Sequence, residues 1–514
     1  MAVSSILLLL LLLPIPLYLG ALVFFLNPNR SHGKGTPPPS PPPIPILGNL
    51  WLTKSFSRLG HVLCRLKAIY GPIFTLYIGR SPAVFIMDRT LAHHALVRKG
   101  VAFAHRPPPL STAHALSGNL RTINMAAYGP YWRLLRRALS AGVFHPSQLS
   151  LQADARAWAL DALVDELVAR AKAGGGVVKP SESFQLFSFR LFTLLCFGEK
   201  LDEGLISSMR EAQMDTLDLA VMLRVYNLVP KILLVMFLGR WKKFLCIRRR
   251  LHDLFAPLIR ARQQLRQSHG DTAAKLTSYL DSLLDLKHVE QGGRTLTEEE
   301  IVSLCSEFLS ASADTTSTAV EWIIANLVIH QDMQEKLYEE IKSVMGGTQR
   351  ATIEENDIRR MPYLKAVVLE GLRRHPPVHL LLPHTVVEDT AVDGYVIPRG
   401  AIVNCSVAEV GRDGEVWAES MEFRPERFLG GGEGEGVDLM GSLEIKMMPF
   451  GAGRRMCPGM GISVLLVEYL VANMVSRFRW EGVEGEEVDM TEEPGLTVGM
   501  KNPFRARIVP RGST

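Results

Sequence analysis

The chain has 514 residues, 47% of them hydrophobic, and a formal net charge of +5. This charge is too small to indicate a nucleic-acid-binding protein. Six cysteines, at positions 64, 196, 246, 305, 405 and 457, contain no CxxC pair, which argues against a disulfide framework and against a zinc site. No long Pro- or Ser-rich linker follows residue 50, so the sequence predicts one large domain with a substantial core.

The N-terminus carries an uncharged apolar run, residues 5–26, that is long enough to cross a bilayer. Positive residues between Arg30 and Lys34 follow it, which favours a cytosolic location for the rest of the chain. A cleaved signal peptide is the alternative, but the run exceeds an ordinary signal-peptide core and no clean A-x-A site follows. The predicted divisions are a transmembrane anchor, a basic and proline-rich hinge and a globular domain, at residues 5–26, 27–50 and 51–514.

The segment YGPYWRLLRR, residues 128–137, places a proline at the start of a predicted helix. Trp132 and Arg136 are four residues apart and therefore lie on one face of it. An indole N–H and a guanidinium on one face can both donate to a carboxylate. The alternative is that Trp132 packs in the core and Arg136 faces solvent.

A long helix is predicted from Thr297 to about Gln331, with a capping box formed by Thr297 and Glu300. Its apolar positions continue for too long for a surface helix, so we expect it to cross the core. A cluster of polar groups in its middle, within residues 311–317, occupies positions where helix propensity would favour none.

Glu370 and Arg373 lie three residues apart in a second helical pattern, residues 361–374, and so share one helix face. Such a pair is usually a solvated interaction worth less than about 1 kcal/mol. Arg427, in the sequence Pro-Glu-Arg-Phe, supplies a further arginine downstream.

Strand patterns are few, at FTLYIG near residue 74 and at YVIPRGAIVNCS near residue 395. The sequence therefore predicts a mainly α fold with a small β region (α+β). Residues 228–244 are either an interfacial patch or a buried helix, and the run GGGEGEG, residues 430–436, is typical of a flexible surface insertion. No dinucleotide fingerprint is found, so electrons for a redox reaction must come from a separate protein.

The run FGAGRRMCPG, residues 450–459, places one cysteine, Cys457, between glycines and after two arginines. A reactive thiolate needs nearby amides and positive charge. Gly453 and Gly459 permit close approach of the backbone, and Arg455 can bind a carboxylate as a planar fork. An isolated cysteine would more simply be an inert core residue.

This run resembles the haem-binding signature of the cytochrome P-450 family. WRLLRR, ASADTT, EGLR and PERF resemble further motifs, in the order found in plant A-type microsomal members. The resemblance implies a cytochrome P-450 fold and a haem-thiolate monooxygenase with haem b, anchored in the endoplasmic reticulum membrane by a single span and facing the cytosol. It also implies electrons from NADPH through a reductase and a small, largely apolar organic substrate.

The resemblance assigns residues by motif. Cys457 corresponds to the iron ligand, and Asp314 and Thr315 to the pair that delivers protons to dioxygen. Residues that match haem-contacting positions are Trp132, Arg136, His384, Phe450, Gly453, Arg455, Cys457 and Gly459. Residues that match a buried structural triad are Glu370, Arg373 and Arg427.

Substrate contacts are implied at residues 107–125, 378–382 and 496–500, although plain core packing is the alternative. The residues named there are Leu380, Leu381, Leu382 and Thr497. Arginines next to the haem motifs are either solvated or part of a basic face for an acidic electron donor; they are Arg133, Arg137 and Arg454.

One position departs from the family pattern. Ser312 stands where most members have glycine, and its hydroxyl is expected to bond to the Phe308 carbonyl and bend the helix. The hydroxyls of Thr316 and Ser317 are likewise expected to bond back to carbonyls one turn earlier.

Two other functions remain open. One is an isomerase or dehydratase of the same fold, which needs no reductase. The other is a membrane-anchored haem protein that senses or scaffolds without turnover. The presence of both Asp314 and Thr315 argues against the first, and the complete set of motifs argues against the second.

Overall fold

The computed structural model describes residues 35–44, 48–49, 52, 59–79, 81–107, 121–222, 238–269, 278–288, 292–346 and 352–512. The predicted anchor at residues 5–26 lies outside these ranges, as do part of the hinge and residues 228–237. Among the described residues, one helix, Met460–Arg477, is long and apolar enough to cross a membrane. Because 56% of it is buried inside the protein, we assign it to the core.

Most of the described chain is helical, which confirms the predicted mainly α class. The α-helices are α1 Leu59–Tyr70, α2 Arg89–His93, α3 Pro130–Ala141, α4 Pro146–Leu151, α5 Ala153–Ala173, α6 Ser181–Phe197, α7 Glu203–Met222, α8 Leu238–His269, α9 Tyr279–Leu284, α10 Glu298–Ile329, α11 Gln331–Met345, α12 Glu355–Ile358, α13 Pro362–Arg374, α14 Val407–Gly411 and α15 Met460–Arg477. Short 3₁₀ or π turns lie at His94–Arg98, Ala102–Ala104, Pro425–Phe428 and Gly453–Arg455.

The small β region consists of short strands. They are β1 Ile73–Ile78, β2 Ser81–Ile86, β3 Val177–Val178, β4 Lys287–His288, β5 Arg294–Thr295, β6 His384–Thr385, β7 Thr390–Val392, β8 Tyr395–Ile397, β9 Ile402–Cys405, β10 Phe478–Glu481, β11 Glu492–Glu493, β12 Gly499–Met500 and β13 Ala506–Pro510. The largest sheet has the order β1-β2-β9-β6, and a second has the order β10-β13-β3. β1 confirms the strand predicted near residue 74, and β8 and β9 confirm the pattern near residue 395.

Helix α10 forms the centre of the core. Its start has the predicted capping box, in which the Glu300 amide donates to the Thr297 hydroxyl at 3.3 Å and the Glu300 carboxylate accepts from the Thr297 amide at 2.8 Å. The helix packs against α6 on one side and α15 on another, and it is buried along most of its length. Both the predicted extent and the predicted burial of this helix are therefore confirmed.

The described part of the proline-rich hinge lies along the β region. The Thr75 amide donates to the Pro39 carbonyl at 2.8 Å, and the Val396 amide donates to the Thr36 carbonyl at 2.9 Å. Because proline has no N–H, this segment offers mainly acceptors to the strands beside it. These bonds attach the end of the hinge to the globular body.

The glycine-rich run at residues 430–436 contacts Arg427 and Phe428. Its Gly434 amide donates to the Arg427 carbonyl at 2.8 Å, and the Glu433 carboxylate accepts from the Arg427 guanidinium at 2.8 Å. A Cβ on Gly434 would lie 2.6 Å from the Phe428 ring. The run lies mostly at the surface, and its glycines allow tight turns against a buried arginine.

Candidate active site

The cysteine loop lies between the short turn Gly453–Arg455 and the start of α15. The Cys457 amide donates to the Phe450 carbonyl at 2.9 Å and closes the loop. Gly453 has a φ of 72°, which is the left-handed region that favours glycine. A Cβ at this position would also overlap the Leu96 carbonyl oxygen. The close approach expected at Gly453 is therefore a contact between two backbone segments.

We expect Gly453→Ala to lower the thermal unfolding temperature and the haem content of the purified protein. A left-handed non-glycine residue costs about 1–3 kcal/mol, and the overlap with Leu96 adds to this cost. Gly461→Ala is the matched control, because a Cβ at Gly461 meets nothing within 4 Å. Equal unfolding temperatures for the two variants would contradict this account of Gly453.

The Cys457 sulfur lies close to the backbone of the loop, since a Cβ on Gly459 would be 3.8 Å from it. Burial raises the pKa of the Cys457 thiol, whereas the Gly459 amide and the Arg136 guanidinium lower it. An amide and a cation are the groups that stabilise a thiolate. The loop thus provides two groups that favour the thiolate, and they oppose the larger effect of burial, which holds the pKa of Cys457 above its ordinary value.

Three arginines converge beside this loop: Arg106, Arg136 and Arg455. Burial lowers the pKa of Arg455 to about 9, and repulsion from the other two arginines adds to the shift. Burial also lowers the pKa of Arg106 to about 10, which the Glu307 carboxylate partly opposes. Arg136 lies 5.7 Å from the centroid of the Trp132 ring. Positive charge outnumbers the negative charge of Glu307, so this cluster is suited to an anionic ligand.

Arg455 and Trp132 are tied to the backbone around them. Arg455 donates to the carbonyls of Ala104 at 2.8 Å, Ile123 at 3.1 Å and Ala126 at 2.6 Å. The Trp132 indole donates to the same Ile123 carbonyl at 3.2 Å, and the Arg455 guanidinium lies 4.7 Å from the ring centroid. The two predicted haem-contacting residues therefore touch each other and share one acceptor.

His384 lies at the start of β6 and is 4% exposed. Its Nδ1 lies 2.6 Å from the Phe103 carbonyl and must donate, because a carbonyl oxygen only accepts. Burial, together with the charge of Arg106, lowers the pKa of His384 to about 3. The neutral ring then has an acceptor at Nε2, so a contact with a haem propionate requires that nitrogen to gain a proton.

Asp314 is buried in α10, with 8% exposure. The Thr497 hydroxyl donates to Asp314 Oδ2, although the two residues are 183 positions apart in the chain. Burial raises the pKa of Asp314, and the bond from Thr497 lowers it. Thr497 was predicted to contact substrate, but the structure places its hydroxyl on the proposed acid.

The neighbouring hydroxyls of α10 bond to the helix itself. Thr315 Oγ1 donates to the Ala311 carbonyl at 2.8 Å. Ser312 Oγ donates to the Phe308 carbonyl at 2.6 Å, which confirms the bond predicted for this departure from the family pattern. The helix is continuous through both residues.

Two further hydroxyls follow in the same helix. Ser317 Oγ donates to the Ala313 carbonyl at 3.0 Å, as predicted. The Thr316 hydroxyl is buried without a hydrogen-bond partner, so the prediction that it bonds back to the helix is wrong. Such a group costs about 1–3 kcal/mol.

The three leucines predicted to contact substrate have different surroundings. Leu380 packs against the core cluster that contains Phe74, and Leu381 packs against a second cluster near Gly451. Leu382 is 38% exposed, and its carbonyl accepts from Arg106 at 2.9 Å. Residues 108–120 of the first predicted substrate segment lie outside the described ranges.

Glu370, Arg373 and Arg427 meet in the core, with exposures of 0%, 1% and 2%. Arg373 forms two parallel bonds to Glu370, at 2.6 and 2.8 Å, and Arg427 Nε lies 3.3 Å from the same carboxylate. This burial excludes the alternative that Glu370 and Arg373 form a solvated surface pair. The structure therefore brings together the three residues that match the family triad.

The three arginines considered for a basic face, Arg133, Arg137 and Arg454, are all exposed. Arg454 donates to the Tyr128 hydroxyl at 2.8 Å, and Arg133 lies 5.6 Å from the centroid of the same ring. This part of the surface is therefore positive and lies next to the cysteine loop.

Sequence reasoning did not single out Arg106 or Glu307. Glu307 accepts from the amides of Ile123 at 2.7 Å and Asn124 at 2.8 Å, and burial raises its pKa. A carboxylate close to Cys305, Phe308 and Leu309, in a helix predicted to cross the core, was a usable signal for this residue. The sequence carried no such signal for Arg106, because the other arginines of the cluster lie beside it only in the folded chain.

The residues around Cys457 fit a haem. The group carries two propionates, and the cluster of Arg106, Arg136 and Arg455 holds more positive charge than Glu307 offsets. The thiol has an amide and a guanidinium to support its ionised form. Both features match what an iron ligand and two carboxylates would need.

Comparison with known proteins gives the same result. The cytochrome P450 family model matches residues 38–505. Cytochrome P450 89A9 of Arabidopsis thaliana is 42% identical over 477 residues, which cover 91% of this chain and 92% of that protein. The flavonoid 3'-monooxygenase of the same species is 32% identical over 480 residues, or 91% of this chain and 90% of that protein.

Solved structures agree on the fold. A zebra fish cytochrome P450 with progesterone superimposes with a TM-score of 0.72 at 24% identity, covering 88% of this chain and 99% of that one. A second zebra fish structure, with abiraterone, has a TM-score of 0.70. The match of the family model over most of the chain decides the assignment. This chain belongs to the cytochrome P450 family, and it is a haem-thiolate monooxygenase.

Proposed function

We propose that this chain hydroxylates a small, largely apolar organic molecule at the membrane of the endoplasmic reticulum. The observation that carries the proposal is the half-buried Cys457 thiol, whose ionised form is favoured by the Gly459 amide and by the charge of Arg136. Haem b, when bound, supplies the oxidising chemistry that transfers one atom of O2 to the substrate. Residues proposed to bind it are Trp132, Arg136, His384, Phe450, Gly453, Arg455, Cys457 and Gly459.

The chain's own contribution to the reaction is control of protons. Burial raises the pKa of Asp314, so its carboxyl can hold a proton inside the core. The bond from Thr497 fixes the orientation of that carboxyl. Thr315 follows Asp314 on the helix and offers a hydroxyl oxygen at a partly exposed position. A general acid acts directly or through one water, which is the role we assign to Asp314 and Thr315.

Residues 5–26 are proposed to anchor the protein by a single span, residues 27–50 to connect the anchor, and residues 51–514 to catalyse in the cytosol. A reductase that oxidises NADPH is the proposed partner, and the exposed arginines Arg133, Arg137 and Arg454 offer a basic surface beside the cysteine loop. Leu380, Leu381 and Leu382 remain candidates for substrate contact.

The test is to combine the full-length protein in vesicles with a plant reductase, NADPH and ¹⁸O-labelled O2. A panel of small apolar compounds should begin with flavonoids, because one relative at 32% identity is named for them. We expect NADPH consumption and a product that contains one labelled oxygen atom. Conversion without NADPH would instead identify an isomerase or dehydratase, and haem binding without any NADPH consumption would indicate a non-catalytic protein.

A further inference from the structure

A buried carboxyl that the reaction scheme above does not use lies in the second half of α10. Glu321 is 9% exposed, and its Oε1 is buried without a hydrogen-bond partner. A buried polar atom in that state destabilises the fold by about 1–3 kcal/mol relative to a paired one. An apolar residue at this position would avoid this cost, so packing alone does not account for the carboxyl.

Glu321 shares a helix face with Asp314. The two residues are seven positions apart, which is two helical turns and about 10 Å along the axis. Side chains on a helix point back towards its N-terminus, so Glu321 reaches towards Asp314. Thr318 lies between them on the same face and is 7% exposed. The three side chains therefore form a polar stripe along one face of α10.

The C-terminal segment is bonded to α10 beside this stripe. Thr497 bonds to Asp314, and the carbonyl of the next residue, Val498, accepts from the indole of Trp322, the residue after Glu321, at 2.9 Å. Asp314, Thr318 and Glu321 are all buried, so the stripe is largely shielded from bulk solvent.

The end of the stripe at Glu321 lies near the surface. Among the described residues, the charged groups that act on Glu321 are Lys179, which follows β3, and Asp314. Lys179 is exposed. Burial raises the pKa of Glu321 to about 7, Lys179 lowers it, and Asp314 raises it. Glu321 therefore exchanges its proton near neutral pH and responds to the charge of Asp314.

We propose that Glu321 passes protons from the solvent side near Lys179 along α10, past Thr318, to the carboxyl of Asp314. The proposal rests on the proposed function, because the path has a role only if Asp314 passes protons on to the reaction. In each transfer Glu321 loses one proton, Asp314 gains one, and a proton taken up from the bulk solution restores Glu321. No electrons move, and no further reactant is required. Glu321 acts through Asp314 and does not touch the reacting atoms.

The test compares E321Q with E468Q in the full-length, haem-loaded protein. Glu468 is the matched control, because burial raises its pKa to about 7 as well, but it lies on α15 beside Lys365. The first readout is an infrared pH titration of protonated carboxyl groups without turnover, in which the band lost in E321Q identifies Glu321 and the band lost in E468Q identifies Glu468. Because the Asp314 carboxylate raises the pKa of Glu321, we expect Asp314→Asn to shift the Glu321 midpoint to lower pH and to leave the Glu468 midpoint in place.

The second readout is turnover with reductase and substrate. In wild type, the coupled rate should fall as pH rises through about 7, because Glu321 loses its proton there. E321Q should lose this dependence, turn over about tenfold more slowly, and show a larger solvent isotope effect, since proton transfer becomes limiting. E321D should recover part of the rate because it restores an acid, while E468Q should match wild type.

The outcomes separate the two claims. If wild type turns over normally, and either Asp314→Asn leaves the Glu321 midpoint in place or E321Q matches E468Q in the pH profile, the proton path is wrong and the proposed function stands. If haem-loaded wild type consumes no NADPH with any substrate, the proposed function fails and the path fails with it.

Discussion

Cys457→Ser is expected to abolish the thiolate-type Soret band of the reduced, carbon monoxide-bound protein and, with it, monooxygenase activity. A serine hydroxyl stays protonated at neutral pH, so it cannot supply the anionic sulfur on which the band depends. The Gly459 amide and Arg136 lower the pKa of the thiol but cannot ionise a hydroxyl to a comparable extent. The measurement is the difference spectrum of reduced protein with and without carbon monoxide.

Cys246→Ser is the matched control, because Cys246 is exposed on α8, away from the loop. It should keep the full band and the full haem content. A thiolate-type band that persists in Cys457→Ser, or that is missing from well-folded, haem-loaded wild type, would refute the assignment of the iron ligand.

The elements that sequence predicted well are those set by local chemistry. Thr297 and Glu300 are three residues apart, and the capping box that they form depends only on that spacing. Helix α13 ends at Arg374 because two prolines follow His375, and the residue before a proline disfavours the helical conformation. The strands near residues 74 and 395 also carry enough β-branched residues to be recognised from the sequence.

The features that sequence could not predict depend on contacts across the chain. Thr497 reaches Asp314 only because the C-terminal segment folds over α10. Arg106 joins Arg455 in a positive cluster although 349 positions separate them. The run at 430–436 has a composition typical of a flexible insertion, yet its glycines allow close turns against Arg427. In each case the partner residue, and not the local pattern, decides the structure.

A chain of contacts connects the buried triad to the cysteine loop. The Arg373 guanidinium lies 5.3 Å from the centroid of the Trp417 ring. The Trp417 indole donates to the Lys446 carbonyl at 3.2 Å, and its ring packs in a cluster with Met447. Met447 lies three residues before Phe450, where the loop begins. We infer that the triad supports the loop through Trp417, so a loss of the triad should affect haem binding as well as stability.

Glu370→Gln is therefore expected to cause the largest loss of stability among these variants, roughly 3–5 kcal/mol, because it leaves Arg373 without its carboxylate in a site with no solvent. Denaturation in urea and the haem content of the purified protein would both report it. Glu339→Gln is the matched control, since Glu339 and Lys342 have the same spacing of three on a helix but are about 60% exposed. That pair should contribute less than about 1 kcal/mol. Equal urea midpoints for the two variants would show that burial does not increase the contribution of an ion pair to stability here. They would also show that Glu370 does not stabilise the core behind the loop.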